Sequence, residues 1–257
     1  MVTFRIFSRL DIKGDYVVKG IQLDGLRKIG DPRILAREYF NQVVDELVLV
    51  DVVASLYKRA NLFALITEIA KELRIPLTAI GGIKSLEDAR EVFEAGADKV
   101  GINSGAIVNP KLFSQLSKIY GNQSIVCSIE ARRLESSNNW TCMTENGRNN
   151  SGLAIQQWIP QLENLGVGEV FITSVDQDGT SKGPDFNLCK EARDLTDIPM
   201  IYSGGIRNIE DIQELSKLGF DGASIGSALH YKKINITELK NSLLNSGVYV
   251  RTIGEMN

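Results

Sequence analysis

Residues 75–88 read Ile-Pro-Leu-Thr-Ala-Ile-Gly-Gly-Ile-Lys-Ser-Leu-Glu-Asp, and residues 198–211 repeat the pattern as Ile-Pro-Met-Ile-Tyr-Ser-Gly-Gly-Ile-Arg-Asn-Ile-Glu-Asp. The correspondence continues without a gap to Gly101-Ile-Asn-Ser104 and Ser224-Ile-Gly-Ser227, at a constant offset of 123 residues. Each copy predicts a strand, a Gly-Gly turn, a helix, a short strand and a small polar pair. A repeat with this long period indicates that the chain consists of two similar halves.

Short apolar segments alternate with amphipathic helical patterns from one end of the chain to the other. Their interiors are rich in Val, Ile, Leu and Ala, as expected for parallel strands buried on both faces. The strands are predicted at about residues 4–10, 46–51, 76–80, 98–102, 124–130, 169–174, 199–203 and 222–225. Eight strands, each followed by a helix, predict an α/β fold, a (β/α)8 TIM barrel built from two half-barrel repeats. A doubly wound open sheet is the alternative, which the half-repeat disfavours.

The two halves are expected to share one core. At 257 residues and 43% hydrophobic composition, the chain is long enough to bury a large one. No linker separates the halves, which we place at about residues 1–122 and 123–251. We therefore predict a single domain over residues 1–257, because α/β barrels of this length commonly occur as one domain.

Capping residues mark the predicted helix starts. Asp31-Pro32 and Asn109-Pro110 each place a capping side chain before a proline in the first turn. Ser85 and Asn208 occupy equivalent places in the two repeats, and acidic residues follow both. This pattern favours helix starts at both positions.

The composition argues against several classes of protein. The net charge of −3 gives no indication of binding to nucleic acid or to an acidic membrane surface. No apolar run approaches the roughly 18 residues of a membrane helix. Cys127, Cys142 and Cys189 are odd in number and widely spaced, as in thiols of a reducing compartment, and His230 is the only histidine. We expect a soluble cytoplasmic enzyme without a metal or cofactor.

Two carboxylates are predicted at the catalytic end of the barrel. Asp11 ends the first predicted strand and Glu130 ends the fifth, and such positions point into the mouth of a parallel barrel. One neutral and one ionised carboxylate commonly serve as general acid and base, and we predict that role for this pair. The alternative is ordinary pairing with Lys13, Lys19 or Arg132 at the surface.

Glycines and small polar residues follow the third, fourth, seventh and eighth predicted strands. Glycine lets backbone N–H groups approach an anion, and the amino terminus of a following helix adds a favourable dipole. We predict two phosphate-binding turns, a first cradle of Gly82, Asn103 and Ser104 and a second cradle of Gly205, Gly226 and Ser227. Because the two turns repeat in register, they indicate a small ligand with a phosphate at each end.

Several other features are expected around this mouth. Asp178-Gly179 adds a polar group at the rim, and Lys19 is a candidate phosphate partner, with a merely solvated lysine as the alternative. Residues 227–231 predict the short helix that barrels often place beside a phosphate. The long segments from Ile12 to about Gly30 and from Ala131 to about Ser151 are expected as loops over the site, the second as a loop or an exposed hairpin.

Charges of both signs are predicted at the opposite end of the barrel. Arg5, Glu46, Lys99 and Glu169 lie near the starts of four strands, and the two glutamates are related by the 123-residue offset. Such a set is compatible with a closed ring of salt bridges and equally with the lining of an opening.

A family resemblance is carried by seven motifs: Arg9-Leu-Asp-Ile-Lys13, Val17-Val-Lys-Gly20, Leu49-Val-Asp51, Gly81-Gly-Ile83, Ala97-Asp-Lys-Val100, Asp178-Gly-Thr180 and Ser203-Gly-Gly205. With them the chain resembles, over about residues 3–251, the cyclase subunits of imidazole glycerol phosphate synthase, (β/α)8 barrels of histidine biosynthesis. The resemblance implies that ammonia from a separate glutaminase subunit, docked on the amino-terminal face, passes through the barrel. There it reacts with a bis-phosphate ribonucleotide and gives imidazole glycerol phosphate.

The resemblance also implies roles for individual residues. The family's first catalytic aspartate matches Asp11, its phosphate-binding lysine matches Lys19, and its phosphate loops match both cradles together with Gly179. The family's ammonia gate matches the four charges at the amino end, Arg5, Glu46, Lys99 and Glu169. This match favours an ammonia entrance over a purely structural ring.

The chain departs from the family pattern at the substrate mouth. Glu130 stands where the family has an aspartate, and residues 21–25 and 182–184 also differ from the usual pattern. These differences resemble a paralogous branch that supplies ammonia for acetamidino sugars of surface polysaccharide. Two further alternatives are the sister sugar-phosphate isomerase, which needs no ammonia, and a non-catalytic conduit subunit.

Overall fold

The computed structural model describes residues 3–53, 60–134 and 139–252. Within them, eight parallel strands close into a barrel, and four antiparallel strands extend it. In chain order the strands are β1 (Arg5–Lys13), β2 (Tyr16–Ile21), β3 (Asp24–Gly30), β4 (Glu46–Asp51), β5 (Leu77–Ile80), β6 (Lys99–Ile102), β7 (Ile125–Arg133), β8 (Trp140–Thr144), β9 (Asn149–Ala154), β10 (Glu169–Ser174), β11 (Met200–Ser203) and β12 (Gly222–Ile225). The parallel order is β1, β4, β5, β6, β7, β10, β11 and β12, and β12 pairs with β1. The predicted TIM barrel is confirmed.

Side chains of β1 alternate between the barrel interior and the surrounding helices, as strand geometry requires. Ile6 and Leu10 belong to the large apolar cluster between strands and helices. Phe7 belongs to a separate, smaller cluster inside the barrel. Arg9 and Asp11 lie two and four residues after Phe7 and therefore on the same face of β1. Their charged side chains point into the barrel interior, beyond the ring of Phe7.

Two antiparallel hairpins lie at the carboxyl ends of the barrel strands. The segment from Ile12 to Gly30, expected as a loop, instead completes β1 and then forms β2 and β3. Gly14 has a φ of 58°, which permits the tight turn between β1 and β2. The second long segment forms β8 and β9, which confirms the hairpin alternative; its residues 135–138 lie outside the described residues.

Helices follow the barrel strands. In the described residues they are α1 (Pro32–Asn41), α2 (Ala60–Glu72), α3 (Leu86–Glu94), α4 (Ser104–Val108), α5 (Lys111–Tyr120), α6 (Ile155–Trp158), α7 (Phe186–Arg193), α8 (Ile209–Lys217), α9 (Ser227–His230) and α10 (Ile236–Asn245). After β7 and its hairpin the helix is a single turn that passes into a 3₁₀ helix, because Pro160 lacks the N–H that an α-helix would need there. The short helix expected beside the second cradle is α9.

Three of the four predicted helix caps are present. Asp31 accepts from the N–H of Arg33 at 2.8 Å, and Ser85 and Asn208 cap α3 and α8 by accepting from the third helical N–H. The cap predicted at Asn109 is wrong. A short helix, α4, ends there, and the N–H of Asn109 donates to the carbonyl of Gly105 at 2.9 Å. The repeat therefore extends to the helix caps, whereas the proline signal at residue 110 marks a helix–helix junction.

Inside the barrel, an apolar layer separates its two charged ends. The inner apolar layer consists of Phe7, Val48, Val126, Phe171 and Ile201, none more than 2% exposed. In the parts of the chain that the structure describes, every helix is too short or too polar to cross a membrane. The assignment of residues 1–257 to one domain stays a prediction.

Candidate active site

The predicted catalytic and phosphate-binding residues lie together at the carboxyl ends of the barrel strands. Asp11 is near the end of β1 and Glu130 is on β7, both buried. Lys19 is on β2 and reaches the same region from the first hairpin. Asp178 follows β10 and completes the group. The first hairpin thus brings a lysine over the mouth that the barrel alone would not place there.

Four buried charges form a closed ring at this end. The carboxyl-end ring consists of Arg9, Asp11, Lys19 and Asp178, with side chains at most 4% exposed. Nε of Arg9 lies 2.6 Å from Oδ1 of Asp11, and Nζ of Lys19 lies 2.9 Å from its Oδ2. Nζ of Lys19 also lies 2.8 Å from Oδ1 of Asp178, whose Oδ2 is 4.0 Å from Nη1 of Arg9. Positive and negative groups alternate around the ring, so its net charge is zero.

Arg9 is the site residue that the sequence analysis missed. Its Nη1 donates to Oγ1 of Thr173 at 3.1 Å and lies 3.5 Å from Oγ of Ser203. The sequence could have indicated this position, since Arg9 stands two residues before Asp11 in a strand and therefore faces the same side. An arginine in the interior of a barrel requires carboxylate partners, because a buried unpaired charge is costly.

The two predicted catalytic carboxylates have different electrostatic surroundings. Burial acts to raise the pKa of Asp11, but Arg9 and Lys19 outweigh it and hold that pKa well below its usual range. Burial raises the pKa of Glu130 to about 7, against the charge of Arg9 and the hydrogen bond from Gly147. Near neutral pH, Asp11 is therefore ionised while Glu130 is divided between both forms. Such a pair is suited to moving protons in opposite directions.

The second hairpin holds Glu130 in place. The N–H of Gly147, in the turn between β8 and β9, donates to Oε2 of Glu130 at 2.8 Å. The same turn contacts the first cradle: the N–H of Glu145 donates to Oγ of Ser104 at 3.1 Å, and Asn103 donates to the carbonyl of Met143 at 3.0 Å. The longer side chain of Glu130 is thus tied to a turn that also touches the first cradle.

The two cradles have the same backbone geometry. Gly81 and Gly82 have φ values of 118° and 67°, and Gly204 and Gly205 have 116° and 77°. L-residues with side chains rarely adopt these conformations. Space is also restricted, since a Cβ on Gly205 would collide with the carbonyl oxygen of Gly183.

The polar pairs that follow the glycine turns match in the same way. Asn103, before α4, has φ and ψ of −114° and −93°, and Gly226, before α9, has −115° and −84°. Ser104 and Ser227 are the first residues of these short helices. The second cradle is additionally lined by Arg9 and Lys19, and the first by Glu130.

The four charges predicted at the opposite end also form a ring. The amino-end ring consists of Arg5, Glu46, Lys99 and Glu169. Arg5 lies 2.7 Å from Glu169 and 3.7 Å from Glu46, and Lys99 lies 2.9 Å from Glu46 and 3.2 Å from Glu169. Burial raises the pKa of Glu46, which Lys99 opposes. The arginine and the lysine are 28% and 16% exposed, so the ring borders solvent at the amino-terminal face.

Comparison with protein families identifies the relationship. The model of a family described as "Histidine biosynthesis protein" matches residues 5–235, nearly the whole barrel. The chain belongs to this family. Within the histidine biosynthesis family, a protein of Thermococcus onnurineus (strain NA1) is 41% identical to the chain over 251 residues, covering 98% of the chain and 99% of the relative. That relative is named imidazole glycerol phosphate synthase subunit HisF.

Two further relatives carry the same name. The protein of Thermotoga sp. (strain RQ2) is 38% identical over 254 residues, covering 99% of the chain and all of the relative. The protein of Lactococcus lactis subsp. cremoris (strain SK11) is 41% identical over 254 residues, covering 98% of both. The matches therefore extend over both halves of the barrel.

Proposed function

We propose that this member of the histidine biosynthesis family is the cyclase subunit of an imidazole glycerol phosphate synthase. It uses ammonia from a separate glutaminase subunit and a ribonucleotide with two phosphates. The observation that carries the proposal is the pair of cradles with matching backbone, because Glu130 lines the first and Asp11 is bound to Lys19, which lines the second. A ligand with two phosphates would therefore extend over both carboxylates.

The relatives favour this function over the alternatives. All three that are named above carry the name of the histidine-pathway synthase, and none of those three carries that of a sugar-modifying protein or of an isomerase. A purely non-catalytic conduit is disfavoured by the position of Glu130, which lines the cradle at which a ligand would bind and whose pKa burial raises to about 7. A conduit has no need of a titrating carboxylate there.

The two carboxylates would divide the proton transfers. Building an imidazole ring from ammonia requires protons to leave nitrogen and to reach departing oxygen. Glu130, which is partly protonated near neutral pH, is suited to giving a proton and taking it back. Asp11 remains ionised while Arg9 and Lys19 hold it, and it gains basicity when a phosphate draws Lys19 away. The phosphate would thus contribute to activating the carboxylate beside it.

The amino-end ring is the expected ammonia entrance, and the glutaminase would dock around it. Both carboxylates of the ring are shared between Arg5 and Lys99. A movement of either cation would open a path to the inner apolar layer. A neutral molecule such as ammonia can cross an apolar layer that would exclude the ammonium ion. We place the reaction in the cytoplasm, which the three buried free thiols, Cys127, Cys142 and Cys189, support.

The proposal is tested with the isolated chain, an ammonium salt and the bis-phosphate ribonucleotide of the histidine pathway. Formation of imidazole glycerol phosphate is followed over a range of ammonium concentrations. Steady turnover that rises with the concentration of free ammonia at a fixed pH would support the cyclase. Binding of the bis-phosphate without turnover would contradict it and would favour the sugar-amidination branch or the conduit.

Replacing Arg5 by alanine should affect the glutamine-driven rate more than the ammonium-driven rate. In the complex with the glutaminase, we expect glutamine-driven product formation to fall about tenfold, a typical size for coupling between distant sites. Ammonium-driven turnover should change far less, because the inner apolar layer separates Arg5 from the carboxylates. Rates with glutamine and with ammonium salt, measured on one preparation, give the comparison. An equal fall in both would show that the amino-end ring is structural.

A further inference from the structure

A ring of charges lies at each end of the barrel, and the two rings have the same composition. Each contains one arginine, one lysine and two carboxylates in alternating order. The amino-end ring borders solvent, whereas the carboxyl-end ring is at most 4% exposed. The inner apolar layer lies between them. A small molecule that enters through the first ring therefore meets the second before it reaches a ligand in the cradles.

Arg9 spans the interior at the level of the second ring. It begins on β1 and donates to Thr173 on β10, and β12 and β11 lie between these strands in the barrel. Its charge also acts on Glu130 of β7, nearly opposite β1. The side chain is only 3% exposed. A guanidinium group held in this way lies between the inner apolar layer and the mouth.

Both cations of the carboxyl-end ring also line the second cradle. Arg9 and Lys19 border the cavity formed by Gly205, Gly226 and Ser227. Phosphate oxygens, like carboxylates, accept charge-assisted hydrogen bonds from arginine and lysine. A phosphate in this cradle therefore competes with Asp11 and Asp178 for the cations that close the ring.

We propose that Arg9 and Lys19 make the carboxyl-end ring an inner gate, which stays closed to ammonia until a phosphate occupies the second cradle. This inference rests on the proposed function as an ammonia-using synthase. With the gate closed, ammonia that has passed the amino-end ring is held in the inner apolar layer. With phosphate bound, Lys19 turns towards it and the ring loses a member. The far end of Arg9 then leaves Thr173 and turns to the phosphate, while its Nε stays on Asp11.

The charges make such a gate reversible. Removing one cation from a buried ring is costly when the carboxylates left behind have no partner. A phosphate offsets that cost, because it gives Lys19 a new anionic partner while Arg9 remains paired with Asp11. When the product leaves, the two carboxylates recover Lys19 and the ring closes again. Opening is therefore coupled to the presence of substrate rather than to thermal fluctuation alone.

The first test needs no catalytic activity. The isolated chain, labelled with ¹⁵N-arginine, is titrated with inorganic phosphate, and the Nε–H resonance of Arg9 is assigned from its loss in Arg9→Met. We expect this resonance to shift along the binding curve, and we expect phosphate to bind about tenfold more weakly to Arg9→Met, since a charge-assisted hydrogen bond is lost. Phosphate binding that leaves the Arg9 resonance unchanged would overturn the inner gate.

The second test measures coupling in the complex with the glutaminase at subsaturating bis-phosphate. For each variant, the glutamine-driven rate of product formation is divided by its own ammonium-driven rate. Slow chemistry lowers both rates equally and leaves this ratio unchanged. A gate that cannot close lets ammonia escape, so we expect the ratio to fall several-fold in Arg9→Met, with a matching excess of glutamate over product.

Two more variants complete the design. Thr173→Val removes the far anchor of Arg9 and keeps its charge, so a smaller fall in the ratio is expected, and this variant decides the matter if Arg9→Met does not fold. Arg207→Met removes a half-exposed guanidinium at the rim and should leave the ratio as in the wild type.

Unchanged ratios in both Arg9→Met and Thr173→Val would refute the gate. If the wild type did not cyclise the bis-phosphate, the proposed function would be refuted instead. The phosphate titration would still test whether Arg9 responds to phosphate.

Discussion

Replacing Asp11 by asparagine is expected to lower ammonium-driven kcat about a thousandfold, within the usual range for loss of a general acid–base residue. Asparagine has the same shape, but it can neither carry the proton nor balance the charges of Arg9 and Lys19. The bis-phosphate should bind at least as tightly as to the wild type, because the two cations then face the second cradle with one carboxylate fewer. Steady-state rates and a binding titration measure both effects.

The same substitution should also reduce stability. Breaking a buried ion pair from one side typically costs about 3–5 kcal/mol. Within the ring, Arg9 and Lys19 would retain Asp178 as their one carboxylate. Denaturant unfolding gives this difference in the free energy of unfolding. Asp31→Asn is the matched control, since Asp31 is 43% exposed and asparagine caps a helix as well as aspartate does. A kcat for Asp11→Asn within tenfold of the wild type would remove Asp11 from the proposed chemistry.

Replacing Glu130 by glutamine is expected to lower kcat about a hundredfold or more and to remove one limb of the pH profile. In the wild type, the limb that needs the protonated carboxyl should decline above about pH 7, because the pKa of Glu130 is raised to about 7 by burial. The profile of kcat against pH, at a fixed concentration of free ammonia, shows the limb. Glu130→Asp should also lose activity, since the shorter side chain withdraws from the N–H of Gly147.

The raised pKa of Glu130 has a consequence for stability as well. Between about pH 4.5 and pH 7 the folded chain keeps a proton that the unfolded chain releases, so the free energy of unfolding falls as the pH rises through this range. The expected loss is up to about 3 kcal/mol. Glu130→Gln should abolish this part of the pH dependence in denaturant unfolding. An unchanged dependence would show that Glu130 titrates normally.

The sequence was sufficient to predict the barrel and the two matching glycine turns because these depend on local pattern. Apolar runs locate the strands, and the paired glycines locate turns that require positive φ, as at Gly82 and Gly205. The Asn-Gly turn of residues 146–147 agrees with the hairpin alternative for the second long segment. In each case, the residues that determine the structure are neighbours in the chain.

The carboxyl-end ring could not be predicted in the same way. Lys19 meets Asp178 only because the first hairpin folds back over the barrel, and no local signal determines where its tip lies. Arg9 could have been assigned to the interior by strand parity, but its partners on β10 and β11 are more than 160 residues away in the chain. Pairing across a closed barrel depends on the register of every strand between.

The matching backbone of the two cradles does not by itself determine the orientation of a bound ligand. Two turns of the same shape would accept a molecule with phosphates at both ends in either orientation. Their linings differ in net charge, with more cations than carboxylates at the second cradle (Arg9, Lys19 and Asp178) and the reverse at the first (Lys84, Asp51, Glu130 and Glu145). The more strongly anionic end of a ligand is therefore drawn to one side of the barrel. The duplicated half-barrels thus provide two binding sites of the same shape, and a few charged side chains determine which end of the ligand binds at each site.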